Sequence, residues 1–215
     1  NDGMTNDPMT QSPQGPRAYR DAADWRAMLD LLVEGRRADN GAYYVHTGDV
    51  SWWLFYHDGP DPFADQIWLW EAGGQLAAWV LFTPDDGYLD LFVRPDLRGG
   101  PDAEAMHAWA EAQITDRVRA RGGDRIKALW IAATDTARQE LLERRGFGRG
   151  AYALNYMTQA LNDSLAPAPV PAGFTVRPVE LPAEAEARAR ASYGAFRSTW
   201  EWGRYLERYL RFTRS

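Results

Sequence analysis

Leu89-Asp90-Leu91-Phe92-Val93-Arg94-Pro95-Asp96-Leu97-Arg98-Gly99-Gly100 is the stretch whose reading decides the fold. Its apolar first half reads as a strand. Arg98-Gly99-Gly100 reads as a turn, and the chain then carries Met106, Ala110, Ile114 and Val118 at helical spacing over a helix from about Asp102 to Ala120. A turn of backbone N–H groups feeding a helix N-terminus suits a phosphate. The residues that follow, Pro101-Asp102-Ala103-Glu104, oppose that use: proline has no N–H, and two carboxylates complement the helix dipole where an anion would dock.

Upstream of this stretch, Trp25, Met28, Leu29 and Leu32 predict a helix over Asp21 to Glu34, with Asp21 as its cap. Gly35 to Ala42 is a polar stretch with room for a second short helix. Trp52–Tyr56, Ile67–Glu71, Gln75–Thr83 and Tyr88–Arg94 read as four strands. They are separated by Asp58-Gly59-Pro60-Asp61-Pro62, Gly73-Gly74 and Pro84-Asp85-Asp86-Gly87. This predicts an antiparallel meander.

Downstream, Ala128-Leu129-Trp130-Ile131-Ala132 reads as a buried strand. A short helix over about Thr136 to Arg145 follows, with Thr136 and Gln139 as a capping box and Gly146 as its end; Ala151–Thr158 reads as a last strand. Strand–helix–strand requires a parallel, right-handed joint. The fold class is therefore α/β (α+β): an antiparallel meander, then a parallel β-α-β joint. Beyond the proline-rich 164–173, Phe174-Thr175-Val176-Arg177-Pro178 reads as a strand, followed by helices from Ala183 to about Ala195 and from about Trp200 to Phe212.

Composition limits the function. Net charge is −6 over 215 residues, which speaks against nucleic acid as the main partner. With no cysteine, disulfides, thiolate metal sites and a cysteine nucleophile are excluded. No apolar run approaches the roughly 20 residues that span a membrane, and Asn1 to Pro16 is polar, so a cytoplasmic protein is expected. No His/Asp/Glu cluster has metal spacing. Ten tryptophans are many for this length, and core packing is their expected role. His107 is read as a packing or surface residue, and Arg117, Arg119, Arg121, Arg125 and Lys127 as a solvated helix end.

The order of elements, with Leu91-Phe92-Val93-Arg94-Pro95-Asp96-Leu97-Arg98-Gly99 and Leu141-Leu142-Glu143-Arg144-Arg145-Gly146-Phe147, resembles the GCN5-related N-acetyltransferase (GNAT) superfamily over about residues 17–160. The resemblance implies acyl transfer from acetyl-CoA to a small-molecule amine. It implies a fourth and fifth strand that splay apart and a cofactor held by Leu91, Phe92, Val93, Arg98, Gly99, Gly100, Asp102 and Ala103. It also implies a general base on the fourth strand, at Asp90. Two departures stand out. Pro101 occupies the loop position where the family carries glycine, and Leu142 stands where the family's tyrosine protonates the leaving thiolate. Tyr152 and Tyr156 are substitute candidates for that acid. Together the departures imply a degenerate cofactor site, with a non-catalytic interaction module as the alternative. Residues 1–16 read as a disordered tail or remnant, 17–163 as the acetyltransferase-like domain and 164–173 as a linker. Residues 174–215 resemble the opening of a second, incomplete domain, as in tandem members of the mycothiol synthase type. Its uncovered helix faces make a homodimer through the C-terminal segment a further expectation.

Overall fold

The computed structural model describes residues 12–39, 44–56, 65–154, 157, 159–160 and 169–213. They fall into two compact units: one takes residues up to 149 except 51–58, and the other takes 51–58 and 150–215.

The first unit is a five-stranded sheet with helices. Strands β1 (Arg17–Ala18), β2 (Ile67–Ala72), β3 (Gln75–Thr83) and β4 (Tyr88–Val93) run antiparallel in that spatial order, and β5 (Lys127–Ala128) joins β4 in parallel. The turn signals do what the sequence asks of them. Gly73 and Gly74, at φ 58° and 77°, close the β2–β3 hairpin in a conformation that other residues resist. Helix α1 (Ala22–Ala38) starts at Asp21, whose carboxylate accepts from the Ala23 and Asp24 N–H groups. It is tied to the sheet by Arg17, whose guanidinium forks onto both oxygens of the buried Asp24 at 2.8 and 2.7 Å and also reaches Glu71. Helix α3 (Pro101–Ala120) is the crossover between β4 and β5, and it buries the expected stripe of Met106, Ala110, Ile114 and Val118. The stripe packs on Trp70, Ala78, Val80, Phe82, Leu89, Leu91 and Val93. Each large side chain withdrawn from water there contributes about 1.5–3 kcal/mol. Because side chains alternate along a strand, Asp90 and Phe92 lie on the opposite face of β4, Phe92 against Gly35 of α1.

Several sequence readings change. Trp52–Tyr56 is not a strand: Thr47–Phe55 is helix α2. The deciding period there is four, since Val50 and Leu54 are both buried and Trp52 stacks on Tyr56 at 3.7 Å. In place of a second helix after Gly35, α1 itself runs on to Ala38; residues 40–43 lie outside the described residues, as does the 57–64 turn. The strand expected over Ala128–Ala132 pairs only through Ala128, because Trp130 takes a left-handed φ of 57° that an extended ladder cannot contain. Helix α4 (Thr136–Arg144) is capped by Asp135 rather than Thr136, and Gln139 reaches the Ala132 and Ala133 carbonyls instead of closing a capping box. Gly146, at φ 88°, follows it as expected. The described part of 151–158 contains no strand, and Tyr152, Leu154 and Met157 are exposed; Phe174–Pro178 is likewise without strand pairing. An apolar, β-prone run becomes a strand only against a pairing edge.

In the second unit, helices α5 (Ala185–Ala195) and α6 (Trp202–Phe212) pack along a seam of Ala189, Tyr205 and Tyr209, which Tyr56, Tyr193 and Trp202 extend. Glu201 caps α6 through the Gly203 and Arg204 N–H groups.

Candidate active site: the open edge of the fourth strand

The β4–β5 ladder is short, and that shortness makes a cleft. The Lys127 N–H donates to Gly87 O at 2.8 Å and the Leu129 N–H to Leu89 O at 3.2 Å. On the other side, Arg94 N–H donates to Ala77 O of β3, so Arg94, Phe92 and Asp90 point their peptide groups at β3. Leu91 and Val93 point theirs toward β5, which has already turned away at Trp130. The strands splay, as the resemblance implied.

Leu91, Phe92, Val93, Arg98, Gly99 and Ala103 line this cleft together with His107, Asp135, Ala137, Arg138 and Leu141. Six of the eight residues expected at a cofactor site thus meet in one place. Gly100 and Asp102 do not line it: Gly100 is the N-cap of α3 and Asp102 sits in its first turn. Gly99, at φ 73°, lies so near α4 that a Cβ there would sit 3.5 Å from the Ala137 methyl. Arg98 is folded back. Its Nε donates to Val93 O at 3.1 Å, its Nη1 to Asp39 at 2.6 Å, and its guanidinium lies 5.4 Å from the Phe92 ring. The Arg98 charge is thus held by a carboxylate of the protein itself.

Asp90 is 4% exposed on the far face of the strand. The Tyr44 hydroxyl donates to its Oδ1, and Tyr44 packs edge-on to Trp79 and tilted on Phe92. Arg36 of α1 fixes this tyrosine by donating to its carbonyl at 3.0 Å. Burial raises the Asp90 pKa to about 7 against the pull of the Tyr44 hydrogen bond and the Arg138 charge. The Tyr44 phenol is raised well above its usual range by the same burial and by Asp90, so it stays protonated. The pair is a carboxyl poised to exchange a proton near neutrality, with a fixed donor beside it.

Sequence reasoning passed over Tyr44, Asp135, Ala137 and Arg138 in this region and gave His107 a packing or surface role. His107 is 2% exposed, and burial with Arg138 and Arg145 nearby lowers its pKa to about 3, so its imidazole is neutral. Its position four residues after Ala103, on the same face of α3, was a usable signal. Leu142 is buried in α4 and offers no proton. Of the tyrosine candidates, Tyr152 is exposed and falls in the other unit, and Tyr156 lies outside the described residues. His46 serves its own turn, accepting from Gly48 N–H at 3.0 Å. Among the described residues no group of His, Asp and Glu could hold a metal, and no helix is long and apolar enough to cross a membrane.

A mixed sheet that parts after its fourth strand, with a turn and a helix N-terminus at the opening, is the architecture that the sequence resemblance implied. The sequence model of the acetyltransferase (GNAT) family matches residues 25–147, and the chain belongs to that family. Among solved structures it is similar to a GCN5-related N-acetyltransferase from Sphaerobacter thermophilus, at 22% identity and a TM-score of 0.49, over 89% of this chain and 61% of that one. The chain thus spans about three fifths of that protein's length. No curated protein matches it.

Proposed function

We propose that this chain transfers an acetyl group from acetyl-CoA to a small primary amine, with Asp90 as the general base. The observation that carries the reading is the departure of β5 after Leu89, which leaves the Leu91–Val93 edge facing a cleft that Arg98 and Gly99 also line. Acetyl-CoA supplies the thioester. The chain's own part is to hold a pantetheine amide on Leu91 N–H and C=O and to receive the proton of the attacking amine. As the amine nitrogen bonds the thioester carbon, its proton passes through water to the Asp90 carboxylate, which is not among the cleft-lining residues, and the carbon–sulfur bond breaks. The electron pair leaves on the thiolate, and with Leu142 in place of an acid that sulfur takes its proton from water. Tyr44 keeps its own proton and orients the Asp90 carboxylate.

The diphosphate end is weak by design of the sequence. Pro101 removes one donor, Asp102 and Glu104 put negative charge in the first turn of α3, and Asp39 already holds Arg98. Each opposing carboxylate costs about 0.3–1 kcal/mol of anion affinity. Calorimetric titration with acetyl-CoA tests this: weak binding is expected, and micromolar binding overturns the degenerate site. An amine screen tests the reaction itself, which should be lost in Asp90→Asn.

A second reading rests on the exposed Leu154, Met157, Phe174 and Val176 of the C-terminal unit: a non-catalytic module that self-associates through that segment. Sedimentation as a clean monomer at high concentration removes it.

A further inference from the structure

We propose that Arg138 and His107 form a carboxylate-binding subsite in the cleft, so that one of the two substrates carries a carboxylate group. The inference rests on the acyl-transfer reading only for the identity of the ligand, not for its chemistry.

Arg138 stands in the first turn of α4 and lines the cleft opposite Leu91–Val93. Its Nε and Nη2 are both buried and have no hydrogen-bond partner. These two N–H groups form one edge of the planar guanidinium and donate in parallel, at the spacing of the two oxygens of a carboxylate. His107, on α3, contributes a third buried polar atom without a partner, Nδ1. With its proton on Nδ1 the neutral ring donates to the same anion. The acidic neighbours act on Arg138 through their charge but do not hydrogen-bond its Nε or Nη2. Asp135 accepts the backbone N–H of Arg138 at 3.2 Å, and Asp90 is engaged by Tyr44. Leu91, Val93, Ala103 and Leu141 in the same lining are apolar, and an uncharged ligand lying on them would leave three buried polar atoms unmatched. A carboxylate would match them and gain charge-assisted bonds in a dry setting.

The phosphate of a cofactor fits less well. The anchor for a diphosphate is the turn and the start of α3, where Pro101, Asp102 and Glu104 oppose an anion; Arg138 belongs to a different helix. The carboxylate has two chemical sources: the far end of a dicarboxylic acyl group on CoA, or the α-carboxylate of an amino-acid acceptor.

The test uses the whole chain and calorimetric or thermal-shift binding, independent of turnover. One arm compares succinyl-CoA with acetyl-CoA, and the other compares glycine with glycinamide. The expected result is a preference of about 10- to 100-fold for the carboxylate-bearing member in one arm. Arg138→Gln should abolish that preference, and Arg138→Lys should weaken it while retaining part of it. Equal binding within both pairs by the wild type overturns the proposal without any variant. So does a loss in Arg138→Gln that is the same for acetyl-CoA and succinyl-CoA, which would make Arg138 a ligand of the CoA portion. A preference dependent on Arg138 without turnover of any amine keeps the subsite and refutes the acyl-transfer reading alone.

Discussion

Replacing Asp90 with asparagine should make the protein more stable at alkaline pH while removing its activity. Asp90 is buried, and its pKa rises from 3.8 to about 7 because burial penalises the charged form more than Tyr44 and Arg138 favour it. The folded state therefore binds this proton more tightly than the unfolded state. The stability associated with it is fully present below pH 4, falls as pH rises, and is lost once pH passes about 7. At about 1.4 kcal/mol for each tenfold difference in proton affinity, the whole loss is of order 4 kcal/mol, of which about 3 kcal/mol falls between pH 5 and pH 8. Asparagine keeps an oxygen for the Tyr44 hydroxyl and has nothing to ionise. Urea denaturation of both proteins at pH 5, 6, 7 and 8 measures the effect. The wild type should lose stability relative to Asp90→Asn by about 3 kcal/mol across that range, with most of the change between pH 5 and 7. Parallel curves would refute the reasoning: they would mean that the carboxyl is solvated or compensated, and so not a base tuned by burial. Wild-type acyl transfer should rise with pH through about 7, the range in which Asp90 gives up its proton.

Other outcomes follow from the same structure. Gly35→Ala would bring a Cβ to 2.4 Å from Phe92 Cζ and 2.9 Å from Arg98 Nη2, so it should cost about 1–3 kcal/mol in chemical denaturation. Unchanged stability would show that α1 does not press on the strand. Ile114→Ala removes a fully buried side chain of the α3 stripe and should cost about 2–5 kcal/mol by the same assay. Arg17→Met should destabilise by about 2 kcal/mol at neutral pH by stranding Asp24, whose pKa the arginine fork and the Arg20 N–H hold down against burial. That deficit should shrink as pH falls through the carboxylate range, because the pair stabilises the fold only while Asp24 is ionised. Pro101→Gly restores an N–H at the start of α3 and should raise acetyl-CoA affinity about fivefold by calorimetry; no gain would place the diphosphate elsewhere.

Where local chemistry decides structure, the chain was readable. The Asp21 cap, the Gly73-Gly74 turn, the Gly146 stop and the buried stripe of α3 depend on residues within a few positions of one another, and all four stand as read. Reading failed where a partner far along the chain decides. Trp52–Tyr56 has strand composition and becomes a helix because the pairs four apart are the ones that pack. The Ala128–Ala132 run has the look of a buried strand and breaks at Trp130, and that break opens the cleft. The site divides along the same line. Leu91, Phe92, Val93, Arg98, Gly99 and Ala103 are close in sequence, so a motif could point to them. Tyr44 reaches Asp90 from 46 residues away, and Arg138 enters the cleft from α4. Sequence alone determined the strand, the turn and the helix that follows it, because dihedral preference and hydrophobic period are local properties. Only the tertiary structure decided that Asp90 is dry, that Arg98 is already held by Asp39 and that Arg138 and His107 face the cleft with buried polar atoms to match. Burial, and with it the proton affinity of a carboxyl and the cost of an unmatched N–H, is set by what the rest of the chain packs around the group.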